Sequence, residues 1–393
     1  MKGFPKNVYL LALIQAIAMT CGTMMVLVAG IFGAQAAENS DLATLPLALM
    51  ILGTATSVMP ITFAMHRFGR KTIFFACATT GIVSSLIAAD AVNNLSFWQF
   101  CFAAGLLGVA SAGFQQIRFA AIESAKPEQA ANVLSLIIVG GLAAAIIGPE
   151  LAVIGQKISD GTFAGAFYLL ACSMSLCLIL FVFYKPTPHH VANNSDNHGQ
   201  EARPLWEIIR QPKLIVAVSM AGLGYALMAF IMTATPLHMH VQEHHSMVDT
   251  KLVIQSHILA MFAPSFVTGW LINKLSEYKV MLAGLFAFLV AIASAFLASG
   301  WWFYWVALVA LGVGWNFLFT TGTSLLTQCY RESEKFKVQA INEGTVFGTQ
   351  AIASLSAGLV LFSVGWQTMM LLSLPVIVYL LIVASWWQRS TKV

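Results

Sequence analysis

The chain has 393 residues, of which 59% are hydrophobic and only 9% are charged, and its formal net charge is +4. Soluble globular proteins carry roughly 25% charged residues, so this composition excludes a water-soluble globular protein. The small positive excess gives no reason to expect a nucleic-acid partner.

Apolar stretches occupy nearly the whole chain, and each is long enough to cross a bilayer as a helix, which takes about 20 residues. Unpaired backbone groups are not tolerated in lipid, so helices are expected rather than open sheets. We therefore predict an all-α integral membrane protein with twelve transmembrane helices, at residues 8–34, 42–65, 72–93, 97–121, 130–156, 164–184, 213–239, 251–273, 279–299, 301–328, 338–363 and 366–387.

The first stretch follows Lys2 and Lys6 and ends near an Ala-Gln-Ala sequence at 34–36, which resembles a signal-peptide cleavage site. Its apolar run is longer than the hydrophobic region of a signal peptide. We therefore expect it to be retained as the first span.

Lysine and arginine collect in alternate loops, whereas on the opposite side of the membrane only Lys157 and Lys251 are found. Positively charged loops remain in the cytoplasm, which predicts a multi-pass protein with both termini cytoplasmic. The six cysteines all lie in or at the ends of apolar spans, so no disulfide is expected. We expect a monomer in the lipid bilayer.

The longest polar interruption divides the chain into six spans plus six. A hydropathy pattern repeated in two halves is typical of transporters built from internal repeats. The sequence predicts two pseudo-symmetric six-helix bundles, at residues 1–186 and 212–393, with a cytoplasmic connecting loop at 187–211. A substrate path would run between the bundles.

The loop after span two, residues 66–71, reads H-R-F-G-R-K, and the loop at 273–276 lies in the equivalent position of the second half. The first loop resembles the signature of the major facilitator superfamily, in which an acidic residue precedes an R-x-G-R-K run. Here His66 stands at the acidic position. The resemblance therefore does not imply the gating ion pair that the acidic residue forms in the family. The resemblance, which covers the whole chain, implies the major facilitator fold and alternating access.

Five polar side chains inside the apolar spans are candidates for a proton relay or a substrate path: Gln115, Arg118, Glu150, Asn316 and Glu343. Polar groups inside a membrane are costly and often functional. The alternative is hydrogen bonding between helices, or for Arg118 a side chain that reaches the inner surface.

Spans seven and eight carry pairs of metal-ligand residues four positions apart, namely Met228 with Met232 and His257 with Met261. Residues at such spacing share one helix face. Met232 lies thirteen residues before His245, near the tip of the outer hairpin, and His257 lies twelve after it. If the faces meet, three thioethers and one imidazole converge on a site that selects Cu(I). The alternative is core packing, since methionine fills gaps.

The outer hairpin contains further donors that could collect metal before import: His238, Met239, His240, His244, His245 and Met247. The alternative is a solvated polar turn. Either interpretation leaves the two methionine and histidine pairs of the spans as the predicted metal site.

Four segments together resemble the CcoA-like copper importers: M-x-x-x-M-T-A-T-P-L at 228–237, H-x-x-x-M-F-A-P-S-F at 257–266, G-P-E-L at 148–151 and G-W-N-F at 314–317. The resemblance implies that the four spaced methionine and histidine residues bind copper. It further implies a bacterial inner membrane, supply of copper to cbb3-type cytochrome oxidase assembly, and a cytoplasmic copper acceptor as partner.

The chain departs from that family after span seven, where residues 241–243 are Val-Gln-Glu instead of including a cysteine. Thiol-assisted capture is therefore not implied. A sister branch with similar framework motifs transports riboflavin, so the framework alone does not choose the substrate.

Our leading hypothesis is secondary import of copper, as Cu(I), with copper as the transported substrate and no cofactor. The alternatives are import of an organic solute such as riboflavin, and proton-coupled efflux of drugs or siderophores through Glu150 or Glu343. No soluble catalytic domain, nucleotide-binding loop or nucleophile constellation occurs in the sequence, so we do not expect an enzyme. A membrane scaffold or receptor is disfavoured because the soluble parts are small.

Overall fold

The computed structural model describes residues 4–126, 129–186, 203–297 and 300–390, which form α-helices and no strand. The helices are α1 (Lys6–Ala18), α2 (Thr20–Ala36), α3 (Leu45–Phe68), α4 (Arg70–Asn93), α5 (Phe97–Phe114), α6 (Ile117–Glu123), α7 (Ala130–Ile158), α8 (Ala164–Phe183), α9 (Leu205–Ile209), α10 (Pro212–Pro236), α11 (Met247–Phe262), α12 (Ser265–Leu275), α13 (Glu277–Phe296), α14 (Trp301–Thr327), α15 (Lys335–Val364) and α16 (Trp366–Ser390).

Within the described ranges, eleven helical segments are long and apolar enough to cross a membrane, and α11 with α12 supplies a twelfth. The first crossing consists of α1 and α2, which are separated only at Met19. The pair of α11 and α12 is bent by 44° at Pro264, where the ring removes a backbone donor. The predicted eighth span is therefore a broken helix.

Two hydrophobic cores lie side by side, one in each half of the chain. The first contains Phe74, Phe100 and Phe167 from the first six crossings, and the second contains Phe288 and Tyr304 from the last six. Each half thus has a core of its own, and α11 of the second half also contributes to the first core.

The turns after the second and eighth crossings have nearly the same backbone conformation. Gly69 has φ 82° and ψ 148° between α3 and α4, and Ser276 has φ 94° and ψ 155° between α12 and α13. Beside the first turn, Arg70 forms an ion pair with Glu123 of α6. The two halves therefore share the backbone conformation of this turn at equivalent positions.

Most of the predicted connecting loop, residues 187–202, lies outside the described residues. Residues 203–211 contain the short helix α9 rather than an irregular loop. Before it, the Arg203 guanidinium forms an ion pair with Glu334, with Nη2 2.8 Å from Oε2. Arg203 also donates to the carbonyl oxygen of Cys329 at 3.0 Å. These contacts fix the start of the second half against the segment between α14 and α15.

The two halves are joined by hydrogen bonds at the end of the bundles opposite the chain termini, which we call the distal end. Thr44 donates from Oγ1 to the carbonyl oxygen of Leu355 at 3.1 Å, and Gly358 donates its N–H to the same Oγ1. The Lys251 Nζ lies 2.6 Å from the Glu150 Oε1. At the other end, Arg118 and Glu343 are both exposed.

Candidate functional site: a cavity between the two halves

A cavity of about 260 Å³ lies between the halves, below the contacts of the distal end. Its walls come from α1, α2, α3 and α5 on one side and from α10, α11 and α15 on the other. The lining residues are Gln15, Ala18, Met19, Gly22, Thr23, Val26, Leu47, Met50, Ile51, Thr54, Ser111, Phe114, Gln115, Tyr225, Met228, Met232, Ile258, Met261, Phe262, Phe347 and Gln350.

Five methionines line this cavity: Met19 and Met50 from the first half, and Met228, Met232 and Met261 from the second. The structure thus brings three of the four predicted copper ligands to one space. Thioether sulfur is polarisable and binds soft monovalent cations, but it also packs well against aromatic rings. The methionine wall suits either kind of substrate.

His257, the fourth predicted ligand, is fully buried and is not part of the cavity lining. Its Nδ1 lies 2.7 Å from the carbonyl oxygen of Leu308. A carbonyl only accepts, so Nδ1 carries the proton and donates it, which leaves Nε2 with a lone pair. That Nε2 is buried without a hydrogen-bond partner. The arrangement of a backbone carbonyl on one ring nitrogen resembles that of metal-binding histidines.

The hydroxyl groups of the cavity are already engaged. Thr54 donates to the carbonyl oxygen of Gly108 at 3.1 Å, and Ser111 donates to that of Leu107 at 2.8 Å. Thr23 donates to the carbonyl oxygen of Ala144 at 2.8 Å. A solute in the cavity therefore meets these residues mainly as weak acceptors.

Amide side chains supply the remaining polarity of the cavity, from Gln15 and Gln115 in the first half and Gln350 in the second. The Oε1 of Gln15 is buried and has no hydrogen-bond partner. Gln350 and Tyr225 both line the second half's side of the cavity. Among the described residues that line the cavity, none carries a formal charge.

Aromatic rings stiffen the wall formed by the second half. The ring of Tyr225 meets Trp315 edge-on, with centroids 5.2 Å apart, and Trp315 stacks on Phe319 at 5.0 Å. Such aromatic contacts hold a wall in one geometry. Tyr225 itself lines the cavity.

The predicted path residues have different surroundings. Gln115 lines the cavity, and Arg118 and Glu343 lie exposed at the end near the termini. Glu150 forms the ion pair with Lys251 that closes the distal end. None of these described charged groups lies in the cavity wall.

Asn316 stabilises the break of the eighth crossing and does not line the cavity. Its Nδ2 donates to the carbonyl oxygen of Met261 at 2.7 Å and to Ser265 Oγ at 2.6 Å. Its Oδ1 accepts from Thr268 Oγ1 at 2.7 Å. The amide thus satisfies backbone and side-chain groups around Pro264, as the helix-packing alternative supposed.

The donors of the outer hairpin lie closer to the protein interior than expected, because the helix continues past Pro236 as a wide π-type turn, Leu237–Gln242. His238 stacks on Trp366 at 4.4 Å, and its Nδ1 lies 2.6 Å from the hydroxyl of Tyr304. His238 and Met239 are buried, as is Met247 at the start of α11.

Of the other hairpin histidines, His245 contacts the ring of Tyr304, which also contacts His238. The Nδ1 of His240 hydrogen-bonds the carbonyl oxygen of His245 at 2.8 Å, and His244 is exposed. Over the described part of the chain, no group of three or more His, Cys, Asp or Glu side chains has metal-binding geometry. Capture of metal at this surface stays a prediction.

Sequence reasoning missed Gln15, Tyr225, Gln350 and the partner of Glu150. Gln15 is a polar residue in the middle of an apolar span, so the rule that selected Gln115 could have found it. Lys251 was used only for orientation, because no sequence pattern showed which residue of the other half it meets.

The Major Facilitator Superfamily model matches residues 8–263 and 231–392 of this sequence. The chain belongs to the major facilitator superfamily. It is therefore a multi-pass secondary transporter rather than an enzyme.

Among similar proteins, the riboflavin transporter RfnT of Brucella anthropi is 38% identical over 388 residues, covering 96% of this chain and 94% of the relative. The uncharacterized MFS-type transporter YddS of Bacillus subtilis is 28% identical over 366 residues, covering 87% and 83%. Neither is named as a copper importer.

Two solved structures share the fold at low sequence identity. A bacterial homolog of the human lysosomal transporter Spinster, in an inward-facing and unoccupied conformation, has a TM-score of 0.73 at 14% identity, covering 98% of this chain and 96% of that chain. A single-residue mutant of the nucleoside transporter NupG has a TM-score of 0.73 at 11% identity, covering 98% and 99%.

Proposed function

We propose that this protein is a secondary transporter that imports a neutral aromatic solute of the riboflavin type across a bacterial inner membrane. The observation that carries the proposal is the cavity between the halves, whose described lining residues form aromatic and thioether walls with three amides and no charged group. A flavin ring is flat, uncharged and rimmed by hydrogen-bonding groups. The 38% identity to a riboflavin transporter over nearly the whole chain supports this choice.

The walls can act on a flat ring in two ways. Tyr225 and Phe262 offer ring faces, and the methionine sulfurs contact aromatic rings favourably. The cavity lies between two halves that close at one end, so movement of the halves would expose the bound solute to either side. Solute specificity would come from the amides, since they are the polar groups not bound to backbone.

Copper import, as Cu(I), is a second candidate, favoured by the shared position of Met228, Met232 and Met261 and by the unpaired Nε2 of His257. His257 lies outside the cavity lining. For all four predicted ligands to contact one copper ion, α11 would have to rotate about its axis. Copper delivered this way would pass to a cytoplasmic acceptor for cbb3-type oxidase assembly.

Uptake of riboflavin and of radiolabelled copper, measured side by side in proteoliposomes, tests the proposal. The wild-type protein should accumulate riboflavin, and Tyr225→Ala should reduce that uptake by about tenfold or more because a ring face is lost. The double variant Met228→Leu, Met232→Leu should keep riboflavin uptake within about threefold, because leucine preserves volume and apolarity.

Met281→Leu is the matched control, because Met281 is fully buried in α13 and does not line the cavity. If wild type accumulates copper but no riboflavin, and the double variant loses copper uptake while Met281→Leu retains it, the flavin proposal is wrong and copper is the substrate.

A further inference from the structure

Gln15 has a polar atom that nothing in the protein satisfies. It lies on α1 one turn before the irregularity at Met19, whose N–H donates to the Gln15 carbonyl oxygen at 3.0 Å. The side chain is 6% exposed and lines the cavity. Its Oε1 is buried without a hydrogen-bond partner. A buried polar atom without a partner costs free energy, and a ligand in the cavity could remove that cost.

The hydroxyl groups of the cavity are less available. The hydroxyls of Thr54 and Ser111 donate to backbone carbonyls. Among the described lining residues, Gln15 has the amide oxygen that is fully buried and unsatisfied. Ala18 and Met19, in the next turn, line the cavity as well, so α1 meets the solute at this point.

We propose that Gln15 determines substrate specificity by binding an imide edge, in which an N–H is flanked by a carbonyl group. Its amide oxygen accepts the hydrogen bond from the N–H, and its amide nitrogen donates to the neighbouring carbonyl. The imide of the riboflavin ring has these groups, so the inference rests on the proposed function. The second half supplies the ring-face contacts, through Tyr225.

A site built around a hydrogen bond rejects analogues that lack the matching group, because its buried polar atom then stays unpaired. N3-methylriboflavin carries a methyl group in place of the imide hydrogen, so it cannot donate this hydrogen bond. Wild-type proteoliposomes should therefore take up riboflavin at least about tenfold faster than N3-methylriboflavin.

The variant Gln15→Met keeps the length of the side chain and removes the amide. Its riboflavin uptake should fall until the preference over N3-methylriboflavin is about twofold or less, while uptake of N3-methylriboflavin stays near the wild-type rate. Gln99→Met is the matched control, since the Gln99 amide bonds Asp90 far from the cavity. It should keep the wild-type preference.

Gln15→Asn covers the case in which Gln15→Met does not reach the membrane. It retains an amide that is one methylene too short, so it should lose the preference as well. A wild-type preference in either variant overturns the role of Gln15 while leaving riboflavin transport intact. If the wild-type protein takes up no riboflavin, the proposed function and this inference both fail.

Discussion

Ser276 is a serine in a backbone conformation that favours glycine. Its φ of 94° and ψ of 155° nearly equal those of Gly69 in the corresponding turn of the first half. A side chain in this region costs about 1–3 kcal/mol. The two halves of this chain share the turn geometry, but only the first has the residue that best fits it.

The variant Ser276→Gly should therefore raise stability by about 1 kcal/mol, which is less than the full strain because glycine also loses more backbone freedom on folding. Thermal unfolding in detergent should shift upward by roughly 2 °C. Ser276→Ala is the control, since it keeps the Cβ and should show no gain. A lower melting temperature for Ser276→Gly would contradict the strain at this residue.

Glu334 lies outside the membrane-spanning segments and is almost completely buried in the protein, with 1% of its surface exposed. Hydrogen bonds from the Arg203 guanidinium hold the pKa of the Glu334 carboxyl well below its usual range. A carboxylate with a lowered pKa in the folded state contributes stability above its unfolded pKa, about 4.3. This contribution declines as the pH falls from that value toward the folded-state pKa.

Wild-type protein should accordingly be more stable than Glu334→Gln at pH 7, and the difference should shrink as the pH is lowered below about 4.3. Melting curves of both proteins between pH 7 and pH 3 measure this. The prediction fails if the difference is the same at both ends of that range.

His257 shows what residue spacing along a helix can and cannot predict about a binding site. Four residues turn an α-helix by about 400°, so His257 and Met261 lie on the same side but are offset by about 40°. That offset is enough to place Met261 in the cavity and His257 against Leu308 of α14. The sequence predicted the shared depth and side, but the rotation of α11 depends on its packing against another helix.

At the level of whole helices, hydropathy predicted the crossings well, because each must bury about 20 apolar residues in lipid. It did not predict the break at Pro264, which depends on Asn316 satisfying the groups around it. It also ended the seventh span at residue 239, whereas the helical segment continues through the π-type turn Leu237–Gln242, in which His238 stacks on Trp366. Contacts between distant helices decided both cases.

The contact between α7 and α11 closes the distal end with an ion pair. Glu150 and Lys251 are 2.6 Å apart, and Gln255 donates to the carbonyl oxygen of Ile146 at 2.9 Å beside them. A partly exposed ion pair contributes about 1 kcal/mol or less. That is enough to shift the ratio of closed to separated distal ends by up to about fivefold.

Glu150→Gln should therefore increase the separated population. Spin labels at the exposed positions Ile158 and Val248, one in each half, would report it as a longer distance component. The charge exchange Glu150→Lys with Lys251→Glu should restore the short distance. A pair at Val248 and Trp302, both in the second half, should not change. Identical distributions in wild type and Glu150→Gln would exclude the ion pair as a latch.

At the scale of the molecule, the division into two six-helix halves followed from the repeated hydropathy pattern, and each half has a hydrophobic core of its own. The composition of the cavity could not be predicted in the same way. Its walls combine residues from seven helices. The sequence does not show which residues of one half face which residues of the other.

The placement of both termini in the cytoplasm remains a prediction from the distribution of lysine and arginine. A fluorescent protein fused after Val393 should fluoresce, and alkaline phosphatase fused there should be inactive. Phosphatase fused after truncation at Asp160, in the turn between α7 and α8, should be active. Labelling of a cysteine at Asn197 from the periplasmic side alone would show that the orientation is reversed.

The contacts between the halves block the distal end, so we expect a bound solute to leave this conformation toward the side of the termini. An impermeant analogue too bulky to be carried should bind this conformation from that side, and added substrate on the opposite side should not relieve the block. From the opposite side, the same analogue should compete directly with substrate. One compound would thus be a noncompetitive inhibitor on one face of the membrane and a competitive inhibitor on the other.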